Sequence, residues 1–61
     1  MRVAKVKTNG WAMAVTTENG NEYRFVGDNC PHVRIGDELP VGCHPYKVIT
    51  SLGQVIELGQ P

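Results

Sequence analysis

The chain has 61 residues, of which 41% are hydrophobic, and it carries six Lys plus Arg against six Asp plus Glu. This length allows one small domain with a thin core, since only about 60% of the unfolded surface is buried on folding. The hydrophobic fraction argues against disorder, and the balanced charge lacks the basic excess of non-specific nucleic-acid binders. No apolar run reaches the roughly 20 residues that cross a bilayer, and residues 1–10 lack the apolar stretch of a secretory signal. We therefore expect a cytoplasmic protein with no membrane partner.

Two Asn-Gly pairs divide the first half of the chain. Asn9-Gly10 and Asn19-Gly20 each separate two stretches rich in strand-forming residues. Because both residues tolerate the positive φ of a type I′ turn, Asn-Gly is the strongest short signal for a β-hairpin. The sequence therefore predicts strands over 2–8, 11–17 and 22–26, joined into a three-stranded meander by two Asn-Gly hairpins.

The second half begins with a region rich in turn-forming residues. Residues 27–45 hold three of the four prolines, so this region is predicted to be mostly loop, with one short strand or turn near 33–39. Two further strands are expected over 46–51 and 54–58, with a tight turn at Leu52-Gly53, and no segment has a helical repeat. A single all-β domain over residues 1–61 follows, in which five short strands form a small OB-like or SH3-like barrel that removes exposed edges.

Several short features occur in the order that is typical of one class of OB barrel. They are Glu18-Asn19-Gly20, Val26-Gly27, Ile35-Gly36-Asp37, Pro45-Tyr46, and Gly53 followed by Val55-Ile56. In this order of features the chain resembles the OB barrels of the translation initiation factor one type and the related RNA-binding OB repeats of ribosomal proteins. The resemblance implies RNA binding by the strands, helped by Lys and Arg side chains.

Aromatic and basic residues lie close together in the predicted meander. On OB barrels such strands offer a platform where bases stack on aromatic rings and cations contact phosphates. The predicted nucleic-acid-binding residues are Arg2, Lys5, Lys7 and Arg24 for phosphates, with Trp11 and Tyr23 for stacking. The alternative is that Trp11, Tyr23 and Phe25 form the core, because a domain this small needs its large side chains inside. We expect Phe25 and at least one of the other two in the core. Alternation leaves open which face of residues 11–15 is buried.

All four Cys and His residues lie in two clusters, Cys30-Pro31-His32 and Cys43-His44-Pro45. Two thiolates and two imidazoles suffice for a tetrahedral structural Zn²⁺ site formed by Cys30, His32, Cys43 and His44, although the spacing is not that of familiar zinc motifs. A structural Zn²⁺ is the only cofactor that the sequence suggests. The alternatives are free, partly buried thiols with surface histidines, or a Cys30–Cys43 disulfide in an oxidising compartment.

The sequence does not favour catalysis. It has no paired carboxylates, no phosphate-binding Gly-rich loop before a helix, and no recognisable Ser–His–acid set, and a domain this small lacks an enclosed pocket. We therefore expect a non-enzymatic module that binds nucleic acid, RNA or single-stranded, through the meander face. The alternative is a protein-interaction or regulatory module, or a small assembly subunit of the phage or mobile-element type, in either case with or without zinc.

Overall fold

The structure, a computed structural model, describes residues 1–39 and 42–59. Its elements in chain order are strands β1 (Val3–Asn9), β2 (Ala12–Thr17) and β3 (Glu22–Val26), a 3-10 turn (Gly27–Asn29), and strands β4 (Lys47–Ile49) and β5 (Val55–Glu57). The strands form one antiparallel sheet in the order β1-β2-β3-β4-β5. The all-β prediction is confirmed. Within the described residues the sheet is open, with β1 and β5 as its edges, so barrel closure stays a prediction.

The first hairpin has a different turn from the one that the sequence predicted. Asn9 pairs with Ala12, so the two loop residues are Gly10 and Trp11 rather than Asn9 and Gly10. Gly10 has φ +60°, whereas Trp11 has a negative φ. These signs belong to a type II′ turn, which requires glycine only at its first central position. The turn places Trp11 at the tip of the hairpin.

The second hairpin is a three-residue loop rather than a two-residue Asn-Gly turn. The Gly20 amide donates to the Thr17 carbonyl at 2.9 Å, and the Thr17 amide donates to the Asn21 carbonyl at 2.9 Å. Gly20 has φ +90°, so it is the left-handed residue that completes a turn of type I followed by a bulge. The Thr17 hydroxyl also donates to the Asn19 side chain, which fixes the loop from within.

The β4–β5 hairpin repeats this loop. The Gly53 amide donates to the Thr50 carbonyl at 2.9 Å, and the Thr50 amide donates to the Gln54 carbonyl at 2.9 Å. Gly53, with φ +86°, occupies the position that glycine holds in the second hairpin. The two loops touch, because the Ser51 amide donates to the Asn21 side-chain oxygen at 3.1 Å. The predicted tight turn at Leu52-Gly53 therefore lies inside a three-residue loop.

Strand register sorts the side chains into two faces, since directly paired residues point the same way. The inner face consists of Val6, Thr8, Met13, Val15, Thr17, Tyr23, Phe25, Val48 and Ile56. Val3 joins it because Ala4 is an extra residue of a β-bulge: Val3 pairs with Thr17 while Lys5 pairs with Thr16. The bulge directs Val3 into the core and leaves Lys5 on the opposite face.

The region between β3 and β4 covers the inner face. Val3, Val15 and Phe25 form the buried core, and the half-buried Cys30, Val33, Leu39 and Cys43 pack against it. The predicted loop over 27–45 is observed for its described residues, with a turn at 35–36 and one bridge between Arg2 and Glu38; residues 40 and 41 lie outside them. The sheet is thus covered on one side only, and its other face is open.

Membrane-spanning helices are not found in the part of the chain that the structure describes, where the single helical element is a three-residue 3-10 turn.

Candidate nucleic-acid interface

The open face of the sheet carries most of the cations. We call this the outer face. Its two longest rows of paired residues are Lys7, Ala14, Arg24, Lys47 and Glu57, and Lys5, Thr16, Glu22, Ile49 and Val55. Three of the six predicted nucleic-acid-binding residues, Lys5, Lys7 and Arg24, are therefore neighbours on one face. They come together because β1 and β3 both pair with β2 in registers that align these positions.

Short side chains on β2 turn this face into a trench, which we call the β2 trench. Its floor is Ala12, Ala14 and Thr16; one wall is Lys5, Lys7 and Asn9 on β1, and the other is Glu22, Arg24 and Val26 on β3. Two connected cavities of about 210 Å³ and about 170 Å³ fill it, and Lys7, Ala14 and Arg24 line both. The trench is open to solvent and lined mainly by polar and small groups.

Arg24 is held in place on the trench wall. Its Nε donates to Glu22 Oε2 at 2.6 Å, two residues earlier on the same strand. The hydrogen bond and the negative charge of Glu22 raise the pKa of Arg24, and the nearby Tyr46 phenol acts in the same direction. An exposed pair of this kind adds little to folding stability. Its main effect is to orient the guanidinium, which also lies close to the Tyr46 hydroxyl.

Tyr46 and Lys47 belong to the same site, although neither was among the predicted binding residues. Tyr46 lines the larger cavity beside Arg24, and Lys47 is the direct cross-strand neighbour of Arg24. Alternation within the predicted strand over 46–51 could have placed Lys47 on the opposite face of the sheet from the apolar Val48. The pairing of β4 with β3 could not be predicted, because 20 residues separate Val26 from Lys47 along the chain.

The other predicted binding residues lie apart from Lys5, Lys7 and Arg24. Trp11 is 79% exposed at the hairpin tip and lines a hollow with Gly27 and Asp28, which adjoins the larger trench cavity at Ala12 and Met13. Tyr23 is on the inner face, paired with Val15 and Val48, and its hydroxyl contacts the Met1 sulfur at 3.9 Å.

Tyr23 therefore cannot form one platform with Arg24, because adjacent residues of a strand point to opposite faces. Arg2 is exposed at an isolated bridge to Glu38, beyond the paired rows that form the trench walls. The core expectation is confirmed for Phe25, which is fully buried, while Tyr23 packs against the core half-buried.

The predicted zinc ligands are not assembled into a metal site. Among the described residues, which include all four, no three His, Cys, Asp or Glu side chains come together to hold a metal ion. Cys30 and Cys43 are both free thiols packed against the core, and burial raises the pKa of the Cys43 thiol. His32 and His44 are exposed. The zinc site stays a prediction, tested by the change in thermal stability when Zn²⁺ is added to the metal-free protein.

Comparisons of the chain with protein-family models, with curated proteins and with solved structures find no match.

Proposed function

We propose that this chain is a non-enzymatic module that binds nucleic acid through the outer face of its sheet. The observation that supports the proposal best is the convergence of Lys5, Lys7 and Arg24 around a trench with a floor of small residues. Cations that converge on an open groove suit a phosphate backbone, which supplies most of the affinity in nucleic-acid binding.

The charge distribution supports a polyanionic ligand although the chain is neutral overall. The outer face has four cations, Lys5, Lys7, Arg24 and Lys47, and two acids, Glu22 and Glu57, which leaves a net charge of +2. Of the twelve charged side chains, two cations and four acids remain elsewhere, for a net charge of −2. The protein is therefore polarised, and its positive side is the uncovered face of the sheet.

One cross-strand pair brings two cations together on the outer face. Arg24 and Lys47 are directly opposite each other on β3 and β4. Like charges at such positions destabilise a sheet, whereas opposite charges there contribute roughly 0.2–1 kcal/mol. Glu22 and Glu57 offset part of the repulsion from the flanking positions. The pair therefore concentrates positive charge on the outer face, which favours an anionic ligand there.

The proposal includes a small barrel of the OB-like or SH3-like kind. Its support is the contact between the start of β1 and the region before residue 40. The Val3 amide donates to the Asp37 carbonyl at 2.8 Å, and the Gly36 amide donates to the Val3 carbonyl at 2.8 Å. These bonds use the side of β1 that faces away from β2, and barrel closure would require pairing on that side of the strand.

The experiment is a binding titration with charge-matched variants. A fluorescein-labelled 12-nucleotide mixed-sequence RNA is titrated with the wild type and with the double variants Lys5→Gln/Lys7→Gln and Arg2→Gln/Arg34→Gln, followed by anisotropy. Both variants remove two charges, but only the first removes them from the lining of the β2 trench. We expect the first to lose at least tenfold in affinity and the second to lose less than threefold. Equal losses, or no binding by the wild type, would refute the proposal.

A second candidate is a protein-interaction module, which β5 favours. The strand is an edge of the sheet, and Val55 and Ile56 are 55% and 40% exposed, with Leu52 and Leu58 beside them at 94% and 58%. An exposed apolar edge strand is a surface on which another strand can pair. Trp11, Met13 and Val15 do not form a contiguous exposed apolar patch that could serve as a second docking surface, because Val15 is fully buried.

This candidate is tested by molar mass in solution. Light scattering during size exclusion at protein concentrations from ~10 µM to ~1 mM would detect a dimer, because these concentrations cover the Kd range of weak complexes. The variant Ile56→Lys adds a charge at the edge and should abolish any association. A monomer throughout would remove self-association through β5.

A further inference from the structure

The shape of the outer face indicates how a nucleic acid would lie on it, and this inference rests on the proposed function. We propose that the β2 trench binds a single unpaired nucleic-acid strand along the direction of β2. Its phosphates contact Lys5 and Lys7, and one base stacks on Tyr46 beside Arg24.

The direction follows from the strand registers. The floor of the trench extends from Ala12 to Thr16, five residues of one strand, or about 17 Å at the usual rise per residue. The walls are the two neighbouring strands, whose backbones lie about 10 Å apart across β2. This is a long, narrow slot for one chain. A duplex presents two backbones and stacked pairs, which a slot of this width does not admit.

The two walls differ chemically, and the difference orients the strand. The β1 wall has Lys5 and Lys7 and no acid, so it suits phosphates. On the β3 wall, Glu22 partly neutralises Arg24 through its hydrogen bond to Nε, and the planar guanidinium lies beside the Tyr46 hydroxyl. Planar groups with hydrogen-bond donors suit base edges and faces rather than an additional phosphate.

Tyr46 is the aromatic residue placed to stack a base in this trench. Its amide donates to the Arg24 carbonyl at 2.8 Å, and its carbonyl accepts from the Leu58 amide at 2.9 Å and the Gly59 amide at 3.2 Å. The residue is thus fixed between β3 and the end of β5, and it lines the larger cavity with Ala12 and Ala14. With the backbone fixed, only the two side-chain torsions of Tyr46 remain to be ordered on binding, which limits the loss of conformational entropy.

The alanines allow close approach. A methyl group at positions 12 and 14 leaves the two trench cavities unfilled, whereas the neighbouring outward positions on β1 carry Lys7 and Asn9. A base could therefore reach the surface of β2 between the walls. Substitution Ala14→Leu fills the centre of the trench, where both cavities meet, without any change of charge.

The test compares strandedness and the aromatic residue in one assay. Single-stranded RNA, single-stranded DNA and duplex RNA of equal length are titrated with the wild type, Tyr46→Leu, Tyr46→Phe and Ala14→Leu, after thermal melting has shown which variants are folded. We expect both single strands to bind at least tenfold more tightly than the duplex. Tyr46→Leu should weaken single-strand binding by about 5-fold to 150-fold, which corresponds to a stacking contribution of ~1–3 kcal/mol. Tyr46→Phe should retain binding, and Ala14→Leu should lose at least tenfold.

A second measurement covers the case in which Tyr46→Leu does not fold. Photocrosslinking of the wild type to an RNA that contains 5-bromouridine should place the adduct on Tyr46, as read by mass spectrometry of the peptides. A crosslink at Tyr23 or Trp11, or equal binding of duplex and single strand with Tyr46→Leu unaffected, would overturn this inference and leave the proposed function standing. Absence of binding to all three nucleic acids would overturn both.

Discussion

The two three-residue loops provide a matched test of the fold. Gly20 and Gly53 occupy the same position of the same kind of loop, with φ +90° and +86°. Their surroundings differ. A Cβ atom at position 20 would lie 2.9 Å from the Ser51 Cβ, whereas a Cβ atom at position 53 would meet nothing within 4 Å. The substitutions Gly20→Ala and Gly53→Ala therefore share one cost and differ in another.

The shared cost is the left-handed backbone, which for an L-residue is roughly 1–2 kcal/mol. We expect Gly53→Ala to lose about that amount in the free energy of unfolding. Gly20→Ala adds a steric clash between two loops whose positions are fixed by the hydrogen bond from Ser51 to Asn21, and overpacking of this kind costs about 1–3 kcal/mol. The total for Gly20→Ala is then about 2–5 kcal/mol, which lowers the melting temperature by ~4–8 °C for each kcal/mol in a domain of this size.

The assay is urea unfolding followed by far-ultraviolet circular dichroism, with the double variant Gly20→Ala/Ser51→Gly as the decisive control. Removal of the Ser51 Cβ should relieve the clash, so the double variant should lose no more than the sum of the losses of Ser51→Gly and Gly53→Ala. The interaction energy between positions 20 and 51 should therefore be about 1–3 kcal/mol. Equal losses for the two single variants, or no recovery in the double variant, would refute the contact between the two loops.

Three further predictions concern individual side chains. The N-terminal ammonium donates to Glu38 at 2.7 Å and lowers the pKa of that carboxyl. The ion pair therefore stabilises the fold above the unfolded-state pKa of Glu38, and this stabilisation is lost as pH falls through the folded-state pKa. Carboxyl NMR titration should show the lowered pKa, and N-terminal acetylation should remove the shift. Burial raises the pKa of the Cys43 thiol, so the stabilisation from its neutral form is present below the unfolded-state pKa and is lost as pH rises through the folded-state pKa. The rate of alkylation of Cys43 by iodoacetamide should therefore have a higher midpoint pH in the native protein than in urea. Equal midpoints would contradict the burial of Cys43. Phe25 is fully buried, so Phe25→Ala should cost ~3–5 kcal/mol, against a total stability of roughly 3–9 kcal/mol for a chain of this length, and amide NMR dispersion should collapse.

Local signals in the sequence were sufficient to predict the strands but not the turns between them. The third strand was predicted with the observed bounds, Glu22–Val26, and the first two within one residue at each end. The predicted Asn-Gly turns were wrong because a type I′ turn requires positive φ at both of its central residues, whereas in these loops only the glycine has a positive φ. Gly10 is the first residue of its turn and Gly20 the last of its loop, although each follows an asparagine.

The composition of the candidate site depended on pairings that the sequence does not encode locally. The inward direction of Met13 and Val15, and so the outward direction of the alanines, is set by which face the region after β3 covers. The bulge at Ala4 moves Val3 inward against simple alternation. Tyr46 reaches the trench only because β4 pairs with β3. Long-range register of this kind is decided by tertiary packing, so Tyr23 was predicted in the place that Tyr46 occupies.

The polarised charge distribution has a consequence for salt dependence that a uniformly basic protein would not show. The domain measures 25 × 25 × 22 Å, and the Debye length is about 8 Å at 0.15 M salt but about 30 Å at 0.01 M. At physiological ionic strength a ligand on the outer face is screened from the four acids elsewhere, and the two phosphate-contacting cations Lys5 and Lys7 should give a slope of log K against log salt of about −1.4 for a single strand. Near 0.01 M the distant acids act on the ligand as well, because the whole domain lies within one Debye length. We therefore expect the slope of log K against log salt to flatten at low salt. Between 0.01 and 0.3 M salt the Debye length falls from about 30 Å to less than 8 Å. One constant slope over this range would contradict a binding face on the positive side of a neutral molecule.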